Sequence, residues 1–440
     1  MLTRAILTYV AVAAAAPVHL GGFTAKKGLT AGAGFLSYDD RLDSLVVSAF
    51  TGDPLETDGV LLVRGVTQLL LSGNVSGAKA APLVDLVWPN AVSPVSFPLG
   101  PGGAPVRGLL APGGFLVPPK TVGAVTLLNV TADGALGSPP VKLTEPKGDA
   151  LLDGWFYHRA LPFDVDGDGL LDVLAARATK PLVGRPGGEL VWAKQPTGPA
   201  PLAAAPWATA PLLGGAFAPD VFFTAPASLR SDGDEQIFYT SFFTGGGLCM
   251  VQCAGCAGEG GATWAAAAAA GRLHAVVLDG AIGPGFGVDV ADLNGDGILD
   301  LLVTNHVDNA TSPFASGVFA YVAPPAPTPL SAPGAWVKHN LSVGFAVREP
   351  GANQAAPGGA AALRLPGAAK PLIAVSGDGD QRAYVLAADA DGDPANWDYH
   401  SQMVWDCKGT VGGVLPLLAG GMGYLFVACY DAGRVEAFSL

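Results

Sequence analysis

Two nine-residue segments hold the acidic side chains best spaced for chemistry. They are Asp164-Val-Asp-Gly-Asp-Gly-Leu-Leu-Asp172 and Asp292-Leu-Asn-Gly-Asp-Gly-Ile-Leu-Asp300, with side-chain oxygens at positions 1, 3, 5 and 9. Alternate residues of a tight loop can converge on one hard cation, glycine at position 6 permits the turn, and the carbonyl at position 7 adds a ligand. The spacing predicts two calcium (Ca²⁺) sites. Their expected ligands are Asp164, Asp166, Asp168, Leu170 and Asp172 in one, and Asp292, Asn294, Asp296, Ile298 and Asp300 in the other.

Two other interpretations of these acidic segments are weaker. The calcium loop of an EF-hand begins in the same way, but it needs a glutamate at position 12, where this chain has Ala175 and Val303. It also needs flanking helices, whereas position 9 here leads directly into an apolar strand-like run. A solvated acidic turn without an ion would hold several uncompensated oxygens close together, and these would repel one another. Calcium therefore fits the pattern best.

The acidic segments belong to a longer repeat that must position them. A glycine, or in one copy a glutamine, precedes a short apolar run seven times, at intervals of about 60 residues. A fixed period of this kind is typical of solenoids and propellers. Further strand-like runs, such as Asp172–Leu174 and Asp300–Val303, lie between the copies. The seven copies begin at Gly59, Gly123, Gly188, Gly247, Gly317, Gln381 and Gly433.

The repeat predicts an all-β fold. About sixty residues suffice for a four-stranded sheet, and seven such sheets closed in a ring leave only short, protected edges. We therefore expect residues 17–440 to form a single seven-bladed β-propeller in which the two ends of the chain share one blade. The alanine-rich stretch 265–270 could form a helical turn, but a loop between blades is the expectation. Tryptophans recur with the same period, and three have a histidine three residues later. These residues are Trp88, Trp155, Trp207, Trp264, Trp336 and Trp397, with His158, His339 and His400.

Composition excludes several classes of protein. The chain has 61 Gly and 37 Pro among 440 residues, and only 14% of its residues are charged, which excludes a helical bundle. A net charge of −13 opposes binding to nucleic acid, so we expect no nucleic-acid partner. The uncharged run 409–430 is long enough to span a bilayer, but it contains Pro416 and several glycines. We expect two strands around Ala419-Gly420-Gly421 instead, and no transmembrane span.

The second acidic segment and its flanks resemble a known repeat. Gly285-Phe-Gly-Val288, the acidic loop and Asp300-Leu-Leu-Val303 together are similar to the FG-GAP repeat of integrin α-subunit propellers and of related VCBS-type proteins. Other units depart from this pattern. The fourth keeps Asp232 and Gly233 but has Gln236 at position 9, and the first keeps only Asp39 and Asp43, so neither is expected to bind a metal. The resemblance implies an extracellular, calcium-stabilised propeller for adhesion or ligand binding, with no catalytic residues to carry over.

The amino terminus and the cysteines indicate the compartment. Residues 1–16 have the pattern of a secretory signal peptide, and four Asn-x-Ser/Thr sites, at Asn74, Asn129, Asn309 and Asn340, suit a secreted chain. The C-x3-C-x2-C spacing of Cys249, Cys253 and Cys256 is similar to the cluster loop of radical S-adenosylmethionine enzymes, but disulfides suit a secreted protein better. Five cysteines leave one thiol free or paired between chains. We predict a Cys407–Cys429 bridge, because both flank the two apolar runs of the last unit.

Two classes of function remain open. One is a non-catalytic module that binds a glycan or an extracellular protein; the other is a calcium-dependent polysaccharide lyase or sugar dehydratase. The lack of a paired acid–base motif favours the first, and the recurrence of His158, His339 and His400 favours a scaffolding role for them. Loops that leave a second strand should lie on the face opposite the calcium loops, at a concave channel entrance. The candidate ligand residues on this face are Arg177, His306, Asp308, Asp378 and Asp380.

Overall fold

The computed structural model describes residues 16–98, 105–198, 200–230, 233–257, 261–308, 310–348, 355–389 and 392–440. These residues form seven antiparallel sheets arranged in a ring, so the predicted seven-bladed β-propeller is confirmed. The expected signal peptide falls almost wholly on residues outside the described ranges, as does Asn309. No helix in the described part is long and apolar enough to cross a membrane.

Strands are numbered in chain order, and within each blade they run from the channel outward. Blade one contains β2 (Gly32–Asp39), β3 (Ser44–Phe50), β4 (Gly59–Arg64) and β5 (Ala81–Asp85). Blade two contains β6 (Ser93–Pro98), β7 (Pro105–Pro112), β8 (Val125–Asn129) and β9 (Val141–Lys142). Blade three contains β10 (Trp155–Phe163), β11 (Asp172–Thr179), β12 (Gly187–Ala193) and β13 (Thr209–Gly214). Blade four contains β14 (Glu235–Ser241), β15 (Gly247–Cys253) and β16 (Val276–Asp279).

The remaining three blades each have four strands. Blade five contains β17 (Gly285–Ala291), β18 (Asp300–Asn305), β19 (Gly317–Val322) and β20 (Val337–Val343). Blade six contains β21 (Ala360–Leu363), β22 (Leu372–Ser376), β23 (Arg382–Ala388) and β24 (Tyr399–Asp406). Blade seven contains β25 (Val411–Ala419), β26 (Met422–Cys429), β27 (Arg434–Ser439) and β1 (Val18–Thr24). The helices are α1 (Val66–Ser72) and α2 (Trp264–Ala269), with single 3-10 turns at Val75–Gly77, Pro201–Ala204 and Asp378–Asp380.

The two ends of the described chain close the ring in blade seven. Strand β1 supplies the outer strand and pairs antiparallel with β27, from Val18 opposite Ser439 to Thr24 opposite Arg434. The uncharged run forms the β25–β26 hairpin, as predicted. The predicted Cys407–Cys429 disulfide joins the two ends of this hairpin, and Cys253 is bonded to Cys256. Cys249 is the free thiol and is buried.

The repeated glycine marks the third strand of a blade. In blade four the position of the first strand is taken by an irregular segment, in which Phe223 bridges Tyr239, so β15 corresponds to a third strand. Close backbone approach explains the residue type, because a Cβ on Gly123 would lie 1.7 Å from the carbonyl oxygen of Gly113. A steric requirement therefore accounts for the glycine of blade two, whereas blade six has Gln381 at this position.

Two details of the predicted repeat are wrong. The alanine-rich stretch forms α2 because Thr263 caps the helix, accepting a hydrogen bond from the Ala266 N–H at 3.2 Å. Trp264, the first residue of the helix, is buried. The Trp-x-x-His motif does not occupy one structural position. His339 and His400 lie on the outer strands β20 and β24, whereas His158 lies on the innermost strand β10.

Candidate metal centres and the opposite face

Both acidic segments connect the first strand of a blade to its second. One joins β10 to β11 in blade three, and the other joins β17 to β18 in blade five, so both lie on the same face of the propeller. Their backbones share a conformation that requires glycine: φ is +75° at Gly167 and +81° at Gly169, and +82° at Gly295 and +85° at Gly297. The glycines predicted to permit the turn therefore do so in both loops.

The carboxylates of the blade-three loop hold its backbone in place. The two oxygens of Asp164 accept hydrogen bonds from the N–H groups of Gly167 and Gly169 at 2.8 and 2.9 Å. Asp172 accepts from the N–H groups of Val165 at 3.1 Å and Gln195 at 2.8 Å. Oxygen atoms of Asp164, Asp166 and Asp172 lie within 4.8 Å of one another. Three predicted ligands thus converge.

Among the described residues, the blade-five loop repeats these bonds except the one from Gln195. Asp292 accepts from the N–H groups of Gly295 at 2.7 Å and Gly297 at 3.2 Å, and Asp300 accepts from the Leu293 N–H at 3.0 Å. Position 5 is also equivalent, because each aspartate there accepts from the N–H of position 7: Asp168 from Leu170 at 3.0 Å, and Asp296 from Ile298 at 2.7 Å. Asn294 donates its side-chain N–H to Asp296 at 2.9 Å.

Each loop contains a buried carboxylate oxygen without a donor. Among the described residues, Oδ1 of Asp166 and Oδ1 of Asp300 have no hydrogen-bond partner. Burial is the main cause that raises the pKa of Asp172 and of Asp300 to about 7; the neighbouring carboxylates act in the same direction, and backbone hydrogen bonds act against them. An unpartnered buried oxygen beside other carboxylates is the environment that a hard, oxygen-binding cation would satisfy. The donor set of both loops therefore fits calcium.

Each loop also has a basic neighbour that sequence analysis missed. In blade three, the Lys194 ammonium forms ion pairs with Asp166 and, at 3.1 Å, with Asp168. In blade five, the Arg364 guanidinium, which comes from blade six, lies 3.1 Å from the Asp292 carboxylate and donates to the Asp292 carbonyl at 2.5 Å. No sequence motif links either basic residue to its loop.

Blade one shows the same type of loop with an arginine in it. Asp39 is fully buried, and Arg41 binds both of its oxygens, at 2.9 Å through Nε and 2.6 Å through a terminal nitrogen. Asp43 instead accepts from the Thr67 N–H and the Tyr38 hydroxyl, at 2.9 and 2.8 Å. The expectation that this unit holds no metal stays a prediction, and a guanidinium already pairs with its buried acid. In the fourth unit, Asp232 lies outside the described residues.

The opposite face brings together some of the predicted ligand residues. His306 Nε2 lies 3.8 Å from an Asp378 oxygen, and its Nδ1 is 2.9 Å from the Pro357 carbonyl. Asp380 is bound by the Tyr384 hydroxyl and lies 3.6 Å from Arg348, so it faces its own blade. The other two candidates make only local contacts. Asp308 accepts from Ala310 and Thr311 within its loop, and Arg177 is buried in β11, paired with Glu189.

An aromatic array fills the centre of this face. Phe35 of blade one and Phe222 of blade four have ring centroids 6.1 Å apart, so side chains from opposite parts of the ring meet across the channel. His158 packs between them, at 5.4 Å from Phe35 and 4.7 Å from Phe222. Ring contacts link these residues into a closed circuit. The aromatic array consists of Phe35, Phe50, Trp88, Phe115, Phe156, Phe222, Phe242, Phe243 and Phe286.

The array occupies the centre of the face on which a concave channel entrance is expected. Aromatic side chains close the channel at this level, and His158 is buried among them with a pKa lowered by that burial to about 3. His158 is therefore a neutral packing residue. A weak signal for the array was present in the sequence, because Phe35 and Phe286 both follow a glycine on an innermost strand.

The fold defines the class of protein as a seven-bladed β-propeller. No protein-family model matches the chain, and no curated protein matches it. Among solved structures, a putative oxidoreductase (glucose dehydrogenase) from Thermus thermophilus is similar at 13% identity and a TM-score of 0.32, covering 79% of this chain and 99% of that one. Drosophila semaphorin 1a, extracellular domains 1–2, is similar at 12% identity and a TM-score of 0.37, covering 94% of this chain and 87% of that one. Drosophila semaphorin 2a is similar at 11% identity and a TM-score of 0.34, covering 96% of this chain and 75% of that one. At these scores, no function is transferred from any of them.

Proposed function

We propose that this chain is a secreted, calcium-binding propeller that acts as a non-catalytic binding module. The observation that carries the calcium proposal is the pair of loops with matching backbone bonds, each of which buries a carboxylate oxygen that no described donor reaches. In this proposal, Asp164, Asp166, Asp168 and Asp172 hold one ion, and Asp292, Asn294, Asp296 and Asp300 hold the other. The carbonyls of Leu170 and Ile298 complete the sets.

Two observations support secretion. The structure contains two disulfides, which persist in oxidising compartments and are rare in the cytosol. Two of the Asn-x-Ser/Thr sites, Asn74 and Asn340, are exposed and available for glycosylation. Residues 1–16 would direct export as a cleaved signal peptide.

The ligand surface is proposed to lie on the face opposite the calcium loops. Partly exposed rings of the aromatic array adjoin the His306–Asp378 pair there, and His306 stacks on Phe286 with ring centroids 4.9 Å apart. Aromatic side chains with polar groups beside them are typical of recognition surfaces. A glycan or an extracellular protein is the proposed ligand.

Calcium binding can be tested by isothermal titration of the metal-free protein. We expect two equivalents of calcium per chain and weaker binding of magnesium, which demands a stricter octahedral geometry. The Asp168→Ala and Asp296→Ala variants should each lose one equivalent. Binding of no calcium by the folded parent would contradict the proposal.

Ligand binding is tested separately with immobilised polysaccharides and extracellular proteins. A His306→Ala, Asp378→Ala double variant should no longer bind the immobilised ligand. Its melting temperature should match that of a His400→Ala control, since His400 lies on an outer strand. The same assay examines the alternative function. If the chain releases unsaturated sugars, and His306→Ala abolishes this, a lyase or dehydratase replaces the binding module.

A further inference from the structure

An exposed apolar patch lies on the non-calcium face of blades two and three. Two loops form it, the connection from β9 to β10 and the connection from β11 to β12. Leu151 and Leu152 on the first are each 61% exposed, and Leu182 and Val183 on the second are 74% and 93% exposed. Clustered aliphatic side chains at this exposure are typical of interaction surfaces rather than of free surface.

The two loops are joined and ordered. The Leu182 N–H donates to the Leu152 carbonyl at 3.0 Å, so the four apolar side chains form one surface, the leucine patch. Asp149 and Asp153 fix the first loop: Asp153 accepts from the Asp149 N–H, and Asp149 accepts from the Leu151 N–H, both at 2.8 Å. Beside the patch is a cavity of about 60 Å³ lined by Leu116, Pro118 and Phe156 as well as the leucines.

Charges flank the leucine patch in a self-complementary arrangement. The end of the first loop reads Asp149-Ala-Leu-Leu-Asp153 and carries two acids, and the second loop reads Lys180-Pro-Leu-Val-Gly-Arg185 and carries two bases. All four charged side chains are exposed, and among the described residues none forms an ion pair within 4.0 Å. The segment 149–153 therefore offers two unpaired negative charges, and the neighbouring segment 180–185 offers two unpaired positive charges.

We propose that the leucine patch is a homodimer interface that binds the same patch of a second copy. A two-fold axis between the loops would set the acidic loop of each copy against the basic loop of the other, while the leucines pack together at the centre. A lipid surface fits less well, because the patch has no net charge and the chain carries −13 overall. Asn74 and Asn129 lie towards the calcium face, so glycans on them would leave the patch free. The inference does not depend on calcium.

Sedimentation equilibrium over a range of micromolar concentrations tests the dimer. The wild-type chain should show a monomer–dimer equilibrium, and Leu152→Ser with Leu182→Ser should raise the dimer dissociation constant by about tenfold or more. Leu55→Ser is the matched control, because Leu55 is 92% exposed on the same face but lies in blade one. Melting temperatures check that each variant folds.

A charge exchange tests the two-fold arrangement. Lys180→Glu with Arg185→Glu should abolish self-association, since four acids would then face four acids. Asp149→Asn with Asp153→Asn keeps the acceptor oxygens of the loop and removes its charge. When the two double variants are mixed, they should form a mixed dimer with a lower dissociation constant than the homodimer of the Lys180→Glu, Arg185→Glu variant. The inference is overturned by a wild-type chain that stays monomeric, by a dimer insensitive to the leucine changes, by absence of the mixed dimer, or by leucine-dependent binding of the monomer to phosphatidylcholine vesicles.

Discussion

The acidic loops of blades three and five share the backbone bonds within the loop but differ in their basic neighbours. In blade three, Lys194 contacts Asp166 and Asp168, which are proposed metal ligands at positions 3 and 5. In blade five, Arg364 contacts the position-1 residue Asp292 and its carbonyl, and it arrives from the next blade. In the proposed sites, the lysine therefore contacts two ligands for which it would compete with an ion, whereas the arginine contacts one, Asp292.

Blade one extends the comparison to a loop in which an arginine pairs with the buried acid. Arg41 binds both oxygens of the buried Asp39, and its other nitrogen donates to the Val95 carbonyl at 2.5 Å. A buried carboxylate must be paired or hydrogen-bonded to be tolerated. The basic residue differs in each of the three loops: Arg41 lies within the blade-one loop, Lys194 follows the third strand of blade three, and Arg364 reaches the blade-five loop from the next blade.

Chelation should give the largest effect. A ligand that binds only the folded state stabilises it by about 2.7 kcal/mol per site at a hundredfold excess over its Kd. Removing calcium should therefore lower the melting temperature in calorimetry, and hydrogen exchange should increase at the loops of blades three and five but not at the Arg41 loop. The Asp168→Ala, Asp296→Ala double variant should melt like the chelated parent. If calcium stabilises that variant as it does the parent, the two loops are not the sites.

Asp220 provides a buried carboxylate with no ion proposed, and it predicts a pH effect. It accepts from the N–H groups of Phe242, Phe243 and Thr244 at 2.7, 2.7 and 3.0 Å, yet burial raises its pKa to about 7. Between pH 4 and 7 the folded state then holds a proton that the unfolded state has lost, so stability falls as pH rises through this window. The loss is at most about 4 kcal/mol.

Urea titrations of the metal-free protein at several pH values measure this slope. Asp220→Asn cannot ionise, so it should flatten the dependence, although the amide accepts fewer hydrogen bonds and should lower stability near pH 5. A variant whose stability still falls as steeply as the parent's would show that another group titrates. Calcium-loaded protein serves as the comparison, because the metal contributes its own pH dependence.

Contacts within a short stretch of chain were predictable, and contacts that depend on ring closure were not. The acidic loops could be recognised because their ligands lie within nine residues, and the third strands because close packing requires Gly123 and its counterparts. Lys194 reaches its loop from a different connection, and Phe35 meets Phe222 only because seven blades close a circle. The Trp-x-x-His motif misled for the opposite reason: a local match at His158 fell on a different strand of the blade.

Replacing the competing lysine should sharpen the difference between the two sites. Lys194→Met retains much of the side chain's apolar stem but removes the ammonium charge that pairs with Asp166 and Asp168. Calcium affinity at blade three should rise by about tenfold, as expected for loss of one nearby positive charge, and affinity at blade five should not change. Titration calorimetry with the Asp296→Ala background isolates the blade-three site. Unchanged affinity there would mean that Lys194 does not compete.

Arg364→Met should give the smallest effect and completes the comparison. Arg364 is partly exposed, and it contacts the proposed ligand at position 1, Asp292, rather than those at positions 3 and 5. Exposed ion pairs contribute about 0 to 1 kcal/mol, so the variant should lose stability in that range. Its calcium affinity at blade five should stay within about threefold of the parent, because removing the arginine both frees the Asp292 carboxylate and loosens the loop that it orders. A tenfold gain in affinity, equal to that of Lys194→Met, would show that both basic residues compete with the ion. The two loops would then not differ in the effect of their basic neighbour.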